Sequence, residues 1–166
     1  MYGIGDKVVY GAFGVMEIVD ITEQTLGDVT RRYYVMKEFS SLSNSLTYVP
    51  LDNELLTVQL KPLLTRDEVD EVIRQAKSAP PMEWIDDNRA RSEYYKKLLS
   101  TSDRIKLLCM IDAVKRTGVR REAEGKKNYI ADENSMHRAE KLISTEFALV
   151  LGIPENEVKE YIDAVV

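Results

Sequence analysis

The stretch "LKPLLTRDEVDEVIRQAKSAPP" (residues 60–81) contains the change of period that decides the fold. Val69, Val72, Ile73 and Ala76 recur at helical spacing. Thr65 and Glu68 form a capping-box pattern at the start of that helix. Pro80 and Pro81 follow its end, as expected of a helix stop. No segment before Thr65 has this spacing, whereas most of the chain beyond Pro81 does. The expected boundary therefore separates a β module, residues 1–64, from an α module, residues 65–166.

On the N-terminal side the runs are short and rich in Val, Ile, Tyr and Thr. "DKVVYG", "GVMEIVDITEQ", "RRYYVMKEF", "LTYVPL" and "LLTVQL" each read as a strand. Gly11, Gly14, the "TLGD" turn and the "SSLSNS" stretch punctuate them. Short strands with close turns predict a small, strongly bent antiparallel sheet or barrel. Closing it would remove most of its pairing-prone edges.

On the C-terminal side, "RARSEYYKKLLS" carries Tyr94, Tyr95, Leu98 and Leu99. "SDRIKLLCMIDAVKRTG" has a broad apolar face of Ile105, Leu108, Ile111 and Val114, closed by Gly118. "VRREAEGKKN" reads as a basic loop. "DENSMHRAEKLISTEFALVLG" reads as a helix capped by Asp132, burying Ala139, Leu142, Ile143, Phe147 and Val150, and ending at Gly152. Pro154 is expected at the first position of a last helix. The fold class is α+β, with the β part first.

A net charge of −5 argues at first against a nucleic-acid partner. Its distribution argues for one. Residues 84–127 hold twelve Lys/Arg against seven Asp/Glu, and acidic segments flank them on both sides. That is a localised basic footprint, or else a set of solvated helix faces. Apolar runs such as "FALVL" are too short to span a bilayer, so no membrane partner is expected. The start "MYGIGDK" lacks a basic stretch followed by an apolar one, so a cytoplasmic location is expected.

The chemistry-bearing residues are few. Cys109 is the only cysteine, which excludes an intrachain disulfide and a cysteine metal cluster. It reads as a small buried apolar residue. His137 is the only histidine and reads as a solvated helix residue. "GIGDKVVYG" begins like a phosphate-binding loop but lacks the third glycine and the preceding strand. Asp86–Asp87 and Asp132–Glu133 read as helix-start charges rather than paired catalytic carboxylates. No catalytic residue, metal site or cofactor is expected, and the chain does not read as an enzyme.

"GDKVVYGAFGVMEIVDI", then "YYVMKEF", then "LTYVPLDN" resemble the opening module of CarD-type bacterial transcription regulators, also called CdnL. The transcription-repair coupling factor contains the same module. "EWIDDNRARSEYYKKLLSTSD" and "AEGKKNYIADENSMHRAEKLISTEFALVLGI" resemble the later segments of that family. The resemblance implies a Tudor-like small β barrel that docks on the β subunit of RNA polymerase, followed by helices that reach promoter DNA. It implies that the family tryptophan, here Trp84, is a minor-groove wedge stabilising the open promoter complex at the upstream edge of the bubble. A monomer acting at the nucleoid through polymerase is expected.

Trp84 is the only tryptophan. An indole is a large flat apolar face with one donor, suited either to an unstacked base step or to a packed interior. Arg89, Arg91, Lys96 and Lys97 follow it and are candidate phosphate contacts, with Lys115, Arg116, Arg120, Arg121, Lys126 and Lys127 as a second basic set. Asp86 and Asp87 would repel phosphate unless they cap the helix. For the polymerase face the candidates are Arg31, Arg32, Tyr34 and Tyr48, with "RRYYVMKEF" as the strand available for edge pairing. The family often has an arginine just before the Val-Pro; Tyr48 stands there in this chain. Two rival readings are a protein adaptor without DNA contact and an enzyme using Cys109 or His137.

Overall fold

The computed structural model describes residues 1–40 and 42–166. Ser41, within the expected "SSLSNS" break, lies outside the described residues. The chain divides into two compact units, residues 1–63 and 64–166.

The first unit is a five-stranded antiparallel sheet in the order β4-β3-β2-β1-β5. Its strands are β1 (Lys7–Tyr10), β2 (Val15–Leu26), β3 (Val29–Glu38), β4 (Leu46–Pro50) and β5 (Leu60–Pro62). Residues at period two build one core: Val8 and Tyr10, Met16 and Ile18, Tyr34 and Met36, with Val49 and Leu60. The register slips between Ile18 and Asp20, which marks a β-bulge and bends the long strand β2. Gly11 and Gly14, at φ 48° and 77°, make the tight β1–β2 connection that a side chain would strain.

The sheet differs from the expected barrel in one respect. Its ladder ends on β4 and β5, and no pairing between these two closes it among the described residues. The segment expected as the last strand explains part of this. Asn53 accepts a hydrogen bond from the Leu56 amide and starts a one-turn helix, α1 (Glu54–Thr57), leaving only Leu60–Pro62 extended. A local cap outcompetes β propensity there, and Leu56 packs against the sheet core.

The second unit is helical: α2 (Arg66–Ser78), α3 (Asn88–Thr101), α4 (Arg104–Ala123), α5 (Ile130–Leu151) and α6 (Val158–Ala164). Thr65 and Glu68 form the full capping box of α2. The core joins Val69 and Ile73 of α2, Tyr95 and Leu98 of α3, Leu107, Met110 and Val114 of α4, and Ile143 and Phe147 of α5. Glu146, 3% exposed, ties three segments together. It pairs with Arg104 at 2.7 Å and accepts the Leu64 amide at 3.1 Å. Among the described residues, no helix is long and apolar enough to cross a membrane.

Three expected boundaries move. Gly118 does not end α4: it sits inside the helix, and a Cβ there would meet the Asn128 side chain at 3.2 Å. The glycine serves a close approach, not a stop. The helix continues to Ala123 and ends at Gly125 (φ 72°), with the Lys126 amide bonded to the Arg121 carbonyl as in a Schellman motif. The expected basic loop is therefore helix for its first half. Asp132 is not the cap of α5 but lies buried inside its first turn. Pro154 precedes a short 3-10 turn, Glu155–Glu157, rather than opening α6.

Candidate nucleic-acid and polymerase interface

Trp84 lies on the irregular segment between α2 and α3, half-buried, with one part packed on the helical core. It is neither enclosed in the interior nor free on the surface. What fixes it is Arg91, which is 1% exposed. The Arg91 guanidinium carbon stands 4.4 Å from the Trp84 ring centroid and 4.8 Å from that of Tyr129. Arg121 stacks on the same Tyr129 ring at 4.0 Å. Each such contact contributes about 0.5–2 kcal/mol, more when desolvated.

Every face of the Arg91 fork is engaged. Nε donates to both Asp132 oxygens at 3.0 and 3.1 Å, and Nη2 lies 2.9 Å from Asp132 Oδ2. Nη1 donates to the Ile85 carbonyl at 2.7 Å, and Nη2 to Asn88 Oδ1 at 2.7 Å. Arg91 thus clasps the backbone immediately after Trp84. The expected phosphate contact for Arg91 does not fit this burial; its charge is consumed inside the unit. Asp87 is the N-cap of α3, accepting the Ala90 amide at 2.8 Å, which gives one of the two aspartates a structural task.

The other basic candidates are placed differently. Arg89, Lys96 and Lys97 occupy the exposed face of α3, opposite Tyr95, Leu98 and Leu99. Arg89 lies 3.4 Å from Glu93 on that face. Arg120 is exposed in the last turn of α4, and Lys126 and Lys127 are exposed just after it. Lys126 has Glu124 at 3.3 Å. Arg121 is half-buried and donates to the Lys127 carbonyl and the Tyr129 hydroxyl, both at 3.0 Å. The sequence does not reveal the roles of Tyr129 and Asp132, because both arise from contacts with Arg91, 38 and 41 residues away in the chain. The spacing of "NYIAD" carries no signal of such a partner.

On the sheet, Tyr34 is 4% exposed, and its hydroxyl accepts the Tyr2 amide at 3.1 Å. It belongs to the core, which removes it as a surface contact. Strand β3 is flanked by β2 and β4, so the expected edge strand is an interior one. The edge beside it is β4, where Tyr48 is 47% exposed and packs edge-on to Tyr33 at 6.4 Å. Pro50 at the end of β4 is where a strand proline is tolerated, since an edge has no second ladder to lose. Arg31 and Arg32 are exposed on the β2–β3 ribbon, 3.6 Å from Asp52 and 4.0 Å from Glu23.

A cleft of about 670 Å³ opens between α2, α4, α5 and α6, lined by Ile73, Cys109, Ile111, Ile143 and Ile162 among others. Burial, with Asp112 and Asp103 nearby, holds the Cys109 thiol above its ordinary pKa. His137 is exposed and not part of this cleft; its nearest charged partner is Glu140 at 3.7 Å. Among the described residues no group of three or more His, Cys, Asp or Glu converges as metal ligands do.

No curated protein matches the chain. Residues 2–60 match the family model of the CarD-like/TRCF RID domain, a span that covers most of the sheet unit and stops before α2. The N-terminal unit is therefore similar to the CarD-like/TRCF RID domain, in line with the CarD/CdnL resemblance of its motifs.

Proposed function

We propose that the protein is a non-enzymatic transcription regulator that binds the RNA polymerase β subunit through its sheet unit and promoter DNA through its helical unit. The match of residues 2–60 to the CarD-like/TRCF RID domain is the observation that carries this reading. In the sheet unit, read as Tudor-like, the free edge β4 supports docking by strand addition, where main-chain hydrogen bonds give affinity and side chains such as Tyr48 give specificity. Arg31 and Arg32 flank that region as further contacts.

In the helical unit, Trp84 acts as the wedge at the upstream edge of the open bubble. Its partly buried ring on a fixed guanidinium supports the role, because a flat apolar face held in place can insert at an unstacked step. Arg89, Lys96, Lys97, Arg120, Arg121, Lys126 and Lys127 bind phosphates, which position the protein without reading sequence. The protein acts as a cytoplasmic monomer at the nucleoid.

The test is a two-part binding measurement with the full chain. Immobilised protein retains the β subunit, and replacing Tyr48 by Asp on the edge strand abolishes retention. Promoter affinity falls steeply with salt, as phosphate contacts require. A chain that holds polymerase but shows no salt-dependent DNA affinity is an adaptor instead. A chain that retains no polymerase overturns the reading.

A further inference from the structure

Trp84 stands on a segment without helix or strand, yet its surroundings are as specified as a core. Arg91 stacks on its ring and bonds the Ile85 carbonyl that follows it. Arg91 is in turn oriented by two residues from another part of the chain. Asp132, 3% exposed in the first turn of α5, takes Nε through both oxygens. Tyr129, at the N-cap of the same helix, takes the guanidinium on its ring. Tyr129 is itself held by Arg121, whose Nε is tied to the Lys127 carbonyl. The turn before α5 is pinned by Asn128, which packs against Gly118 and donates to Glu133 at 3.0 Å.

We propose that Tyr129 and Asp132 are positioning residues for Trp84, acting through Arg91. They set the angle at which the indole is presented by holding the guanidinium that stacks on it. The physical need is geometric. A planar fork fixes the ring only if its own plane is fixed. A carboxylate gripping Nε sets the direction of the guanidinium, and a second ring sets its tilt. A lysine at position 91 would keep the charge opposite Asp132 but offer no plane to stack and no fork to reach Ile85 and Asn88 together. An indole free to turn would have to be ordered at the moment of insertion, which lowers affinity for the open bubble.

The functional half of this inference rests on the reading of Trp84 as a wedge; the structural half does not. Because Trp84 is the only tryptophan, its fluorescence reports its own order. Acrylamide quenching and anisotropy are measured on the full chain for wild type, Tyr129→Leu, Tyr129→Phe and Arg91→Lys, well below each thermal midpoint. Open-complex lifetime is measured on the same proteins and on Trp84→Ala. Tyr129→Leu and Arg91→Lys are expected to raise quenching, lower anisotropy and shorten the lifetime about two- to tenfold. Tyr129→Phe keeps the ring and is expected to restore all three. Unchanged fluorescence in both Tyr129→Leu and Arg91→Lys overturns the proposal whatever the lifetimes are. A loosened indole with an unaltered lifetime, where Trp84→Ala does shorten it, also overturns it. If Trp84→Ala has no effect on lifetime, the wedge reading fails, and the fluorescence arm alone decides whether Tyr129 positions the ring through Arg91.

Discussion

The Arg91 guanidinium carbon lies 4.4 Å from the centroid of the Trp84 ring, and Arg91 itself is 1% exposed. A buried cation thus lies on the ring of a partly buried indole, which also packs against the helical core.

The Arg91–Asp132 pair is buried on both sides, at 1% and 4% side-chain exposure. Removing one partner leaves an uncompensated charge in the interior. Asp132→Ala is expected to cost about 3–5 kcal/mol of unfolding free energy, read by urea denaturation. A loss below about 1 kcal/mol, the range of exposed pairs, would show that Arg91 reaches water in solution.

The change of period at Thr65 was legible because it rests on local chemistry: a complete capping box and a helical apolar face. The first four strands were legible from local chemistry as well. Arg91 was not, because its sequence neighbours are polar and it looks like one more cation of a basic run. Only the fold brings Asp132, 41 residues later, against it. Tyr34 misled in the opposite sense: a tyrosine beside two arginines suggests a surface, while period two places it on the core face with Met36. Gly118 misled because a glycine after a basic stretch imitates a stop, whereas it sits inside α4, where a Cβ would crowd the Asn128 side chain. The open sheet order was hidden by the one-residue cap at Asn53, which turns a β-rich run into a helical turn.

Lys126 and Lys127 are exposed just beyond α4, with Arg120 in its last turn. Changing both lysines to Ala is expected to weaken DNA binding about equally across sequences. The salt slope should fall by roughly 2, about one for each phosphate no longer neutralised. Titration of affinity against salt checks this. An unchanged slope would place these lysines away from DNA.

Burial first, and Asp132 second, push the Tyr95 hydroxyl up to about 12 from an ordinary value of 10.0. The folded state therefore keeps this proton at pH values where the unfolded chain releases it. Stability from this group is complete below pH 10 and is lost as pH rises toward about 12. Thermal midpoints are expected to fall across that window, and Tyr95→Phe to flatten the fall. Equal slopes in both proteins would contradict the assignment.

Cys109 is half-buried at the cleft, and its thiol is held above the ordinary range by burial and by nearby carboxylates. Since the thiolate is the nucleophile, alkylation by iodoacetamide at pH 8 is expected to be slower in the folded protein than in the urea-unfolded chain. Cys109→Ser is expected to leave polymerase and DNA binding unchanged. Loss of either function on that substitution would revive a chemical role for the thiol.

The wedge role of Trp84 is tested most directly by the lifetime of the open promoter complex with Trp84→Ala, taken together with the thermal midpoint of that variant. A half-buried indole on a fixed base should cost less than the roughly 3–5 kcal/mol of a fully buried one when removed, so the fold and polymerase retention persist. Its loss should shorten the lifetime about tenfold, since offsetting even about 1.4 kcal/mol of unstacking changes the open-to-closed ratio by that factor. A folded, polymerase-binding Trp84→Ala protein that holds the bubble open as long as wild type would contradict the wedge role.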